Sequence, residues 1–383
     1  MNRKVVFAVI FFACACFFQA NAQGESQRME KMQREFSRLE DNGSPFGVLE
    51  FLHWNHSWNY YKYSGVKDLA KAARLMQEAG MSFVRVDFLW EDIQPQQGRF
   101  DFAKYDQIVE VMSDYGISIL GLLNYSALWA SENNRWNQPP RDYKDFVNYA
   151  AAVIARYKGR IRHWEVWNEP DSPTYWEPQD GLKSYCRLLK EVYQAAKRID
   201  PECIILNGGL ANGISSVNLL YDNGSKDYFD ILNVHYFAHS ATPGAIKRVL
   251  AFPKLVRKVM DRNGDAQKKI WLSEIGCPGV KRGIKTAGWW LGDNPDEGEQ
   301  AEWLREVYTE LIKEKIVEKI FWAFLRDCKE HWSNGVDYFG VLRWDFSPKP
   351  AYRAYKECYQ NWLKDQAENR FPAHGKTGAK ISR

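Results

Sequence analysis

His163-Trp164-Glu165-Val166-Trp167-Asn168-Glu169-Pro170 is an apolar, aromatic run that delivers an amide and a carboxyl side chain to its own end, where Pro170 stops it. Polar groups at the end of a buried strand are costly unless something uses them. A second run, Lys269-Ile270-Trp271-Leu272-Ser273-Glu274-Ile275-Gly276, also ends in a carboxylate. Around these two lie further short runs rich in β-branched and aromatic residues: Phe46–Leu52, Ser82–Phe88, Ile117–Leu123, Cys203–Leu206, Ile231–Tyr236 and Ile320–Phe324. Continuous apolar runs of this length read as parallel strands buried on both faces.

Helical 3-4 spacing fills the intervals, at Val66–Ala79, Tyr105–Tyr115, Tyr143–Tyr157, Leu182–Ile199, Ile246–Met260, Glu297–Lys313 and Ala351–Trp362. Gly80, Gly116 and Gly159 follow three of them as stop signals. Between the fifth and sixth strands only Ser215–Tyr221 offers a short helix. Eight strands alternating with helices predict a single-domain (β/α)8 TIM barrel over residues 44–362, with Ser26–Asp41 as an N-terminal capping helix. An open doubly wound sheet competes, but Phe51-Leu52-His53-Trp54, and no glycine-rich phosphate turn, follows the first strand.

The chain starts with Arg3 and Lys4, an apolar stretch Val5–Phe18 and the small-residue site Ala20-Asn21-Ala22. This is the pattern of a secretory signal peptide over residues 1–22, and the stretch is short for a membrane span. Export to the periplasm or medium is expected. Lipid attachment at Cys14 or Cys16 is the lesser alternative, since no leucine precedes either at the usual offset. The net charge of +4 falls by two when Arg3 and Lys4 are removed, too balanced for a nucleic-acid partner. The basic tail 371–383, with Lys376, Lys380 and Arg383, reads as a disordered, solvated end. Cys186, Cys203, Cys277, Cys328 and Cys358 are too widely spaced for a disulfide framework or a CxxC metal site. Single burial is the default for each, with one bridge left open. His-x-His and His-Glu-x-x-His spacings are absent from the sequence, so neither metal nor cofactor is expected.

In a barrel, chemistry collects at the C-terminal ends of the strands. Glu169 ends the fourth strand and Glu274 the seventh, at roughly opposite points of the ring. Two such carboxyls suit cleavage of a glycosidic bond. One stays protonated to donate to the leaving oxygen, and the other stays ionised to attack the anomeric carbon. The loops above carry Trp54, Trp58, Trp129, Trp136, Trp176, Trp289, Trp290 and Trp332, half of the 16 tryptophans. Flat rings with an N–H suit sugar faces, although some of them pack loops onto the barrel.

The paired acids with Asn168 and Pro170 resemble clan A of the glycoside hydrolases, retaining (β/α)8 enzymes with an Asn-Glu-Pro motif on strand 4 and a nucleophilic Glu on strand 7. Within the clan, Arg85-Val86-Asp87-Phe88-Leu89-Trp90-Glu91-Asp92-Ile93-Gln94-Pro95 is similar to family 39 and its relatives. So are Gly98–Phe102, Tyr105-Asp106, Tyr338–Leu342 and Pro348–Tyr352, and the resemblance spans most of residues 44–362. Family 39 includes β-xylosidases, iduronidases and bacterial exopolysaccharide hydrolases. The resemblance implies an oligo- or polysaccharide substrate, Glu169 as acid/base, Glu274 as nucleophile and Asn168 as a contact for the sugar 2-hydroxyl.

By position, Arg85 either holds the nucleophile ionised or pairs with interior Glu165 or Glu50. His235 and Tyr236 end the sixth strand, where the clan places a contact to nucleophile or sugar. Trp322 resembles the platform beneath the sugar at the cleavage point. Asn124, Tyr125 and His53 are expected substrate contacts, as are Trp129 and Trp176, while Asp87 and Glu91 either bind hydroxyls or are solvated. Glu165 lies deeper in its strand and suits an interior ion pair. A catalytically inactive barrel that binds polysaccharide is the alternative, disfavoured because such proteins usually lose one of the acids.

Overall fold

The computed structural model describes residues 43–52, 63, 65–238, 240, 242–289, 293–329 and 331–370. The expected signal peptide with Cys14 and Cys16, the capping helix at Ser26–Asp41 and the tail 371–383 lie outside the described residues. Each expected run becomes a strand: β1 (Phe46–Leu49), β2 (Phe83–Leu89), β3 (Ser118–Asn124), β4 (His163–Val166), β5 (Ile204–Asn207), β6 (Ile231–His235), β7 (Lys269–Ile275) and β8 (Lys319–Ala323). All pair in parallel with their sequence neighbours. The ring closes where Phe46–Leu49 lies in register with Ile320–Ala323.

The longer helices between strands are α1 (Val66–Ala79), α2 (Ala103–Asp114), α3 (Tyr143–Tyr157), α4 (Lys183–Ile199), α5 (Ile214–Asp222), α6 (Ala245–Arg262) and α7 (Glu297–Glu314), with α8 (Pro350–Arg370) after the last strand. The weak helical signal between β5 and β6 corresponds to α5. Local chemistry fixes several starts. Asp296 accepts from the Gly298 and Glu299 backbones while Glu299 reaches back to the Asp296 N–H, a capping box that opens α7.

Two cores result. Phe83, Leu120, Leu206, Ile231, Trp271 and Phe321 fill the barrel interior, and a larger cluster packs the outer strand faces against the helices. Burial on both faces explains why the strands read as continuous apolar runs. The five cysteines between Cys186 and Cys358 are buried and none forms a disulfide. No helix among the described residues is long and apolar enough to cross a membrane.

Candidate active site

Phe83 belongs to the interior cluster, so strand alternation turns Arg85 and Asp87 inward above it. Arg85 is 1% exposed and engaged on all three nitrogens. Its Nε donates to Glu165 Oε2 (2.6 Å), Nη2 to Glu165 Oε1 (2.9 Å) and Asn168 Oδ1 (2.8 Å), and Nη1 to Glu274 Oε1 (2.7 Å). The two readings of Arg85 are therefore both realised, with Glu165 as the interior partner. Glu50 instead accepts from the Arg326 backbone N–H at 3.0 Å. Burial opposes the charge on Arg85, but Glu165 and Glu274 outweigh it and hold the guanidinium protonated.

Trp167 and Glu169 have φ of 68° and 43°, a left-handed region that side-chain-bearing residues seldom occupy. Between them Asn168 meets Arg85. His235, at the end of β6 and fully buried, joins the two acids. Its Nδ1 lies 2.7 Å from Glu169 Oε1, and its Nε2 lies 3.0 Å from Ser273 Oγ and 3.7 Å from Glu274 Oε1. One oxygen from each glutamate and a ring nitrogen of His235 all fall within 4.8 Å of one another. Three such donors could in principle chelate an ion, but both ring nitrogens are already hydrogen-bonded, so the group is a hydrogen-bonded chain. A Cβ on Gly209 would stand 1.9 Å from His235 Nε2, and only glycine leaves the ring its place.

The two acids share burial but differ in their charged neighbours. Burial pushes the Glu169 carboxyl up to about 8, and Asp171 adds to the rise. Burial also raises Glu274, but the Arg85 guanidinium pulls against it. With Arg85 in direct contact, Glu274 is the acid whose ionised form the site supports. Burial lowers His235, leaving a neutral ring.

A cleft of about 1010 Å³ opens over these groups, lined by Arg85, Asp87, Asn124, Asn168, Glu169 and Glu274 at its polar centre. Above β3 and β4, Tyr125, Trp136 and Tyr175 stand within 4.7–6.3 Å of one another, ring centre to ring centre. Across the ring, Phe51, Phe324 and Trp332 form a second aromatic group at 5.1–6.2 Å. Asn124 lines the cleft and donates through Nδ2 to Asp87 Oδ1. Glu91 also lines the cleft and accepts from the Leu128 N–H at 2.6 Å.

Four expected contacts belong elsewhere. Phe321 points into the barrel, so alternation turns Trp322 outward, where it meets Trp303 and Tyr308 of α7 and donates to the Phe339 carbonyl. Phe324 lines the cleft in its stead. Tyr236, next to inward His235, stacks on Phe252 of α6 at 4.4 Å. Trp176 is fully buried against Trp167 and Tyr185 and donates to Ser184 Oγ at 3.1 Å. Trp129 packs on Trp90 and donates to the Gln94 carbonyl at 2.8 Å, leaving Trp136 to face the cleft. His53, Trp54, Trp58 and Trp290 lie outside the described residues.

Sequence reading passed over Ser273, Asp171, Tyr175 and the cleft-facing role of Phe324. Asp171 carried a signal, standing two residues after Glu169; its carboxylate accepts from the Ala211 and Asn212 N–H groups and so ties the loop after β4 to that after β5. Ser273 was hidden because a regular strand would face it away from Glu274.

Known proteins point the same way. The family model "Cellulase (glycosyl hydrolase family 5)" matches residues 39–326. Endo-1,4-beta-xylanase 1 of Gibberella zeae is 34% identical over 88 residues, 21% of this chain and 23% of that protein. Endo-1,4-beta-xylanase 3 of Hypocrea jecorina is 28% identical over 142 residues, 34% and 38% of the two chains. The matched stretches thus span about a quarter to two fifths of these relatives' length. Two solved structures share the fold. A family 39 glycoside hydrolase from Bacteroides cellulosilyticus WH2 has TM-score 0.64 at 24% identity, over 82% of this chain and 63% of that one. GH5_18 from Streptomyces cattleya has TM-score 0.66 at 14% identity, over 84% and 81%. The clan expected from the Asn-Glu-Pro run is the one to which these families belong, and the matched model covers the barrel from before β1 to beyond β8. The chain belongs to the cellulase family, glycosyl hydrolase family 5.

Proposed function

We propose that the protein is an exported retaining glycoside hydrolase acting on β-linked oligo- or polysaccharides. One observation carries the reading: the Glu169 and Glu274 carboxyls come within 4.8 Å of each other at the centre of an aromatic-walled cleft. Retaining enzymes hold their carboxyls about 5–5.5 Å apart, whereas inverting ones need about 6.5–9.5 Å to admit a water. Glu169, kept protonated by burial and Asp171, donates to the leaving oxygen. Glu274, supported as an anion by Arg85, attacks the anomeric carbon and forms a glycosyl-enzyme. Glu169, now ionised, takes a proton from water, which releases the sugar with its configuration retained. Asn168 has its carbonyl oxygen held by Arg85 and donates one amide hydrogen to the Tyr125 hydroxyl at 3.4 Å, which leaves its other amide hydrogen for the sugar 2-hydroxyl.

The cleft lining includes Asp87, Glu91 and Asp92 beside the catalytic pair, and the one arginine among its described residues is committed to Glu165 and Glu274. That balance favours uncharged glycans over polyuronates. The similarity to endo-1,4-β-xylanases makes β-1,4-linked polymers the first to assay. The test is Glu274→Ala. It should abolish turnover with the fold intact, and added azide should restore activity to give a glycosyl azide of inverted configuration. Undiminished hydrolysis by the variant overturns the nucleophile assignment. Polysaccharide binding without hydrolysis by the wild type across a substrate panel supports the non-catalytic alternative.

A further inference from the structure

The hydrogen-bonded chain does not stop at His235. Ser273, the residue before the proposed nucleophile, is fully buried, and its Oγ lies 3.0 Å from His235 Nε2. Consecutive residues of a regular strand face opposite ways, yet both Ser273 and Glu274 reach the same imidazole. The reason is an irregularity in β7. The pairing with β6 jumps from Val234↔Leu272 to His235↔Glu274, and the pairing with β8 jumps from Leu272↔Ile320 to Ile275↔Trp322. Shifts of this kind re-aim side chains, and here they bring a serine hydroxyl into the interior beside the acids.

A neutral imidazole has one N–H and one bare nitrogen, and the hydrogen bond at one end decides what the other end offers. If Nδ1 carries the proton, it donates to Glu169 Oε1, and Nε2 accepts from the Ser273 hydroxyl. Every donor in that chain has an acceptor. If Nε2 carries the proton, Nδ1 is bare and requires a proton on Glu169 Oε1. The transferable proton of Glu169 then points at the imidazole, away from the cleft.

We propose that Ser273 is a positioning residue for the acid/base: its hydroxyl donates to His235 Nε2, fixes the Nδ1–H tautomer and so keeps the transferable proton of Glu169 on the oxygen that faces the cleft. The proposal rests on the reading of Glu169 as acid/base. Loss of the hydroxyl frees Nε2 to take the proton and turn toward Glu274 Oε1, 3.7 Å away. The acid step then suffers while the nucleophile stays in place.

Acid assistance matters for poor leaving groups and little for activated ones, which gives the experiment. Wild type, Ser273→Ala and Ser273→Thr are assayed on an alkyl and a 2,4-dinitrophenyl β-glycoside of the sugar that the wild type prefers. S273A should lose about tenfold or more in kcat/KM on the alkyl compound, a part of the roughly 10²–10⁴-fold that general-acid catalysis contributes, and less than about threefold on the activated one. S273T, which keeps a hydroxyl, should hold the wild-type ratio. Nitrogen-15 NMR of His235 should show Nδ1 protonated in the wild type and Nε2 in S273A. Equal losses on both substrates, or Nε2 protonated in the wild type, overturn the proposal. If the wild type cleaves neither glycoside, the enzymatic reading fails instead, and the NMR measurement still decides the tautomer. Should S273A lose its fold, Ser273→Cys carries the same expectation, because a thiol is a weaker donor.

Discussion

Replacing Glu169 by glutamine removes a titration that the fold makes unfavourable. Burial holds this carboxyl at about 8, against an ordinary value of 4.5. Between those two pH values the unfolded chain has released the proton while the folded protein still binds it. The unfolded state therefore binds fewer protons, and stability falls as pH rises through the window. Each pH unit costs about 1.4 kcal/mol, which accumulates to something on the order of 3–5 kcal/mol by pH 8. Glu169→Gln keeps the size and the hydrogen-bonding capacity but cannot ionise. Glu50 and Asp327, raised by burial to about 8 and about 7, bend the wild-type curve in the same range, so the informative quantity is the difference between variant and wild type. Urea unfolding at half-unit steps from pH 5 to 9 measures it. The two proteins should be nearly equal at pH 5, and the variant should gain steadily up to pH 8. In parallel, wild-type kcat/KM should fall above pH 8 as the acid loses its proton. A stability difference that stays flat with pH refutes the electrostatic account of Glu169, whatever the variant's activity.

Other outcomes follow from the same contacts. Arg85→Lys keeps the charge but loses the fork that spans Glu165, Asn168 and Glu274. It should cost about 2–4 kcal/mol in urea unfolding, since a buried pair is left partly unmet, and it should move the acidic limb of the pH–rate profile upward as Glu274 loses its nearest cation. Gly209→Ala puts a methyl group against His235 and beside the backbone N–H that Glu165 accepts. Overpacking of about 1–3 kcal/mol is expected, with a larger fall in kcat than in stability as the ring is displaced. Unchanged kcat would show that the ring position is not critical.

Much of this molecule is legible along the chain. The eight strand runs were visible because burial on both faces leaves continuous apolar segments, and Glu169 and Glu274 were visible because each interrupts the end of one. Arg85 was visible as a lone cation in such a segment, but its two roles were not separable. Whether it pairs with Glu165, Glu50 or Glu274 depends on which side chains converge across the barrel. The aromatic residues were the least legible. Trp322 and Tyr236 sit at strand ends and look like substrate platforms, yet their neighbours Phe321 and His235 take the inward positions. Trp129 and Trp136 share one loop and one composition, and only packing against Trp90 separates them.

By itself, the sequence determined the barrel, the two carboxylates and the strands that carry them, because periodicity and composition are properties of neighbours along the chain. Tertiary structure alone decided that the carboxyls come within 4.8 Å, that Arg85 bridges Glu165 and Glu274 and that His235 and Ser273 link the pair. These are contacts between residues on different strands. Strand alternation, two register shifts in β7 and the glycine at 209 set them, and none is fixed by spacing along the chain.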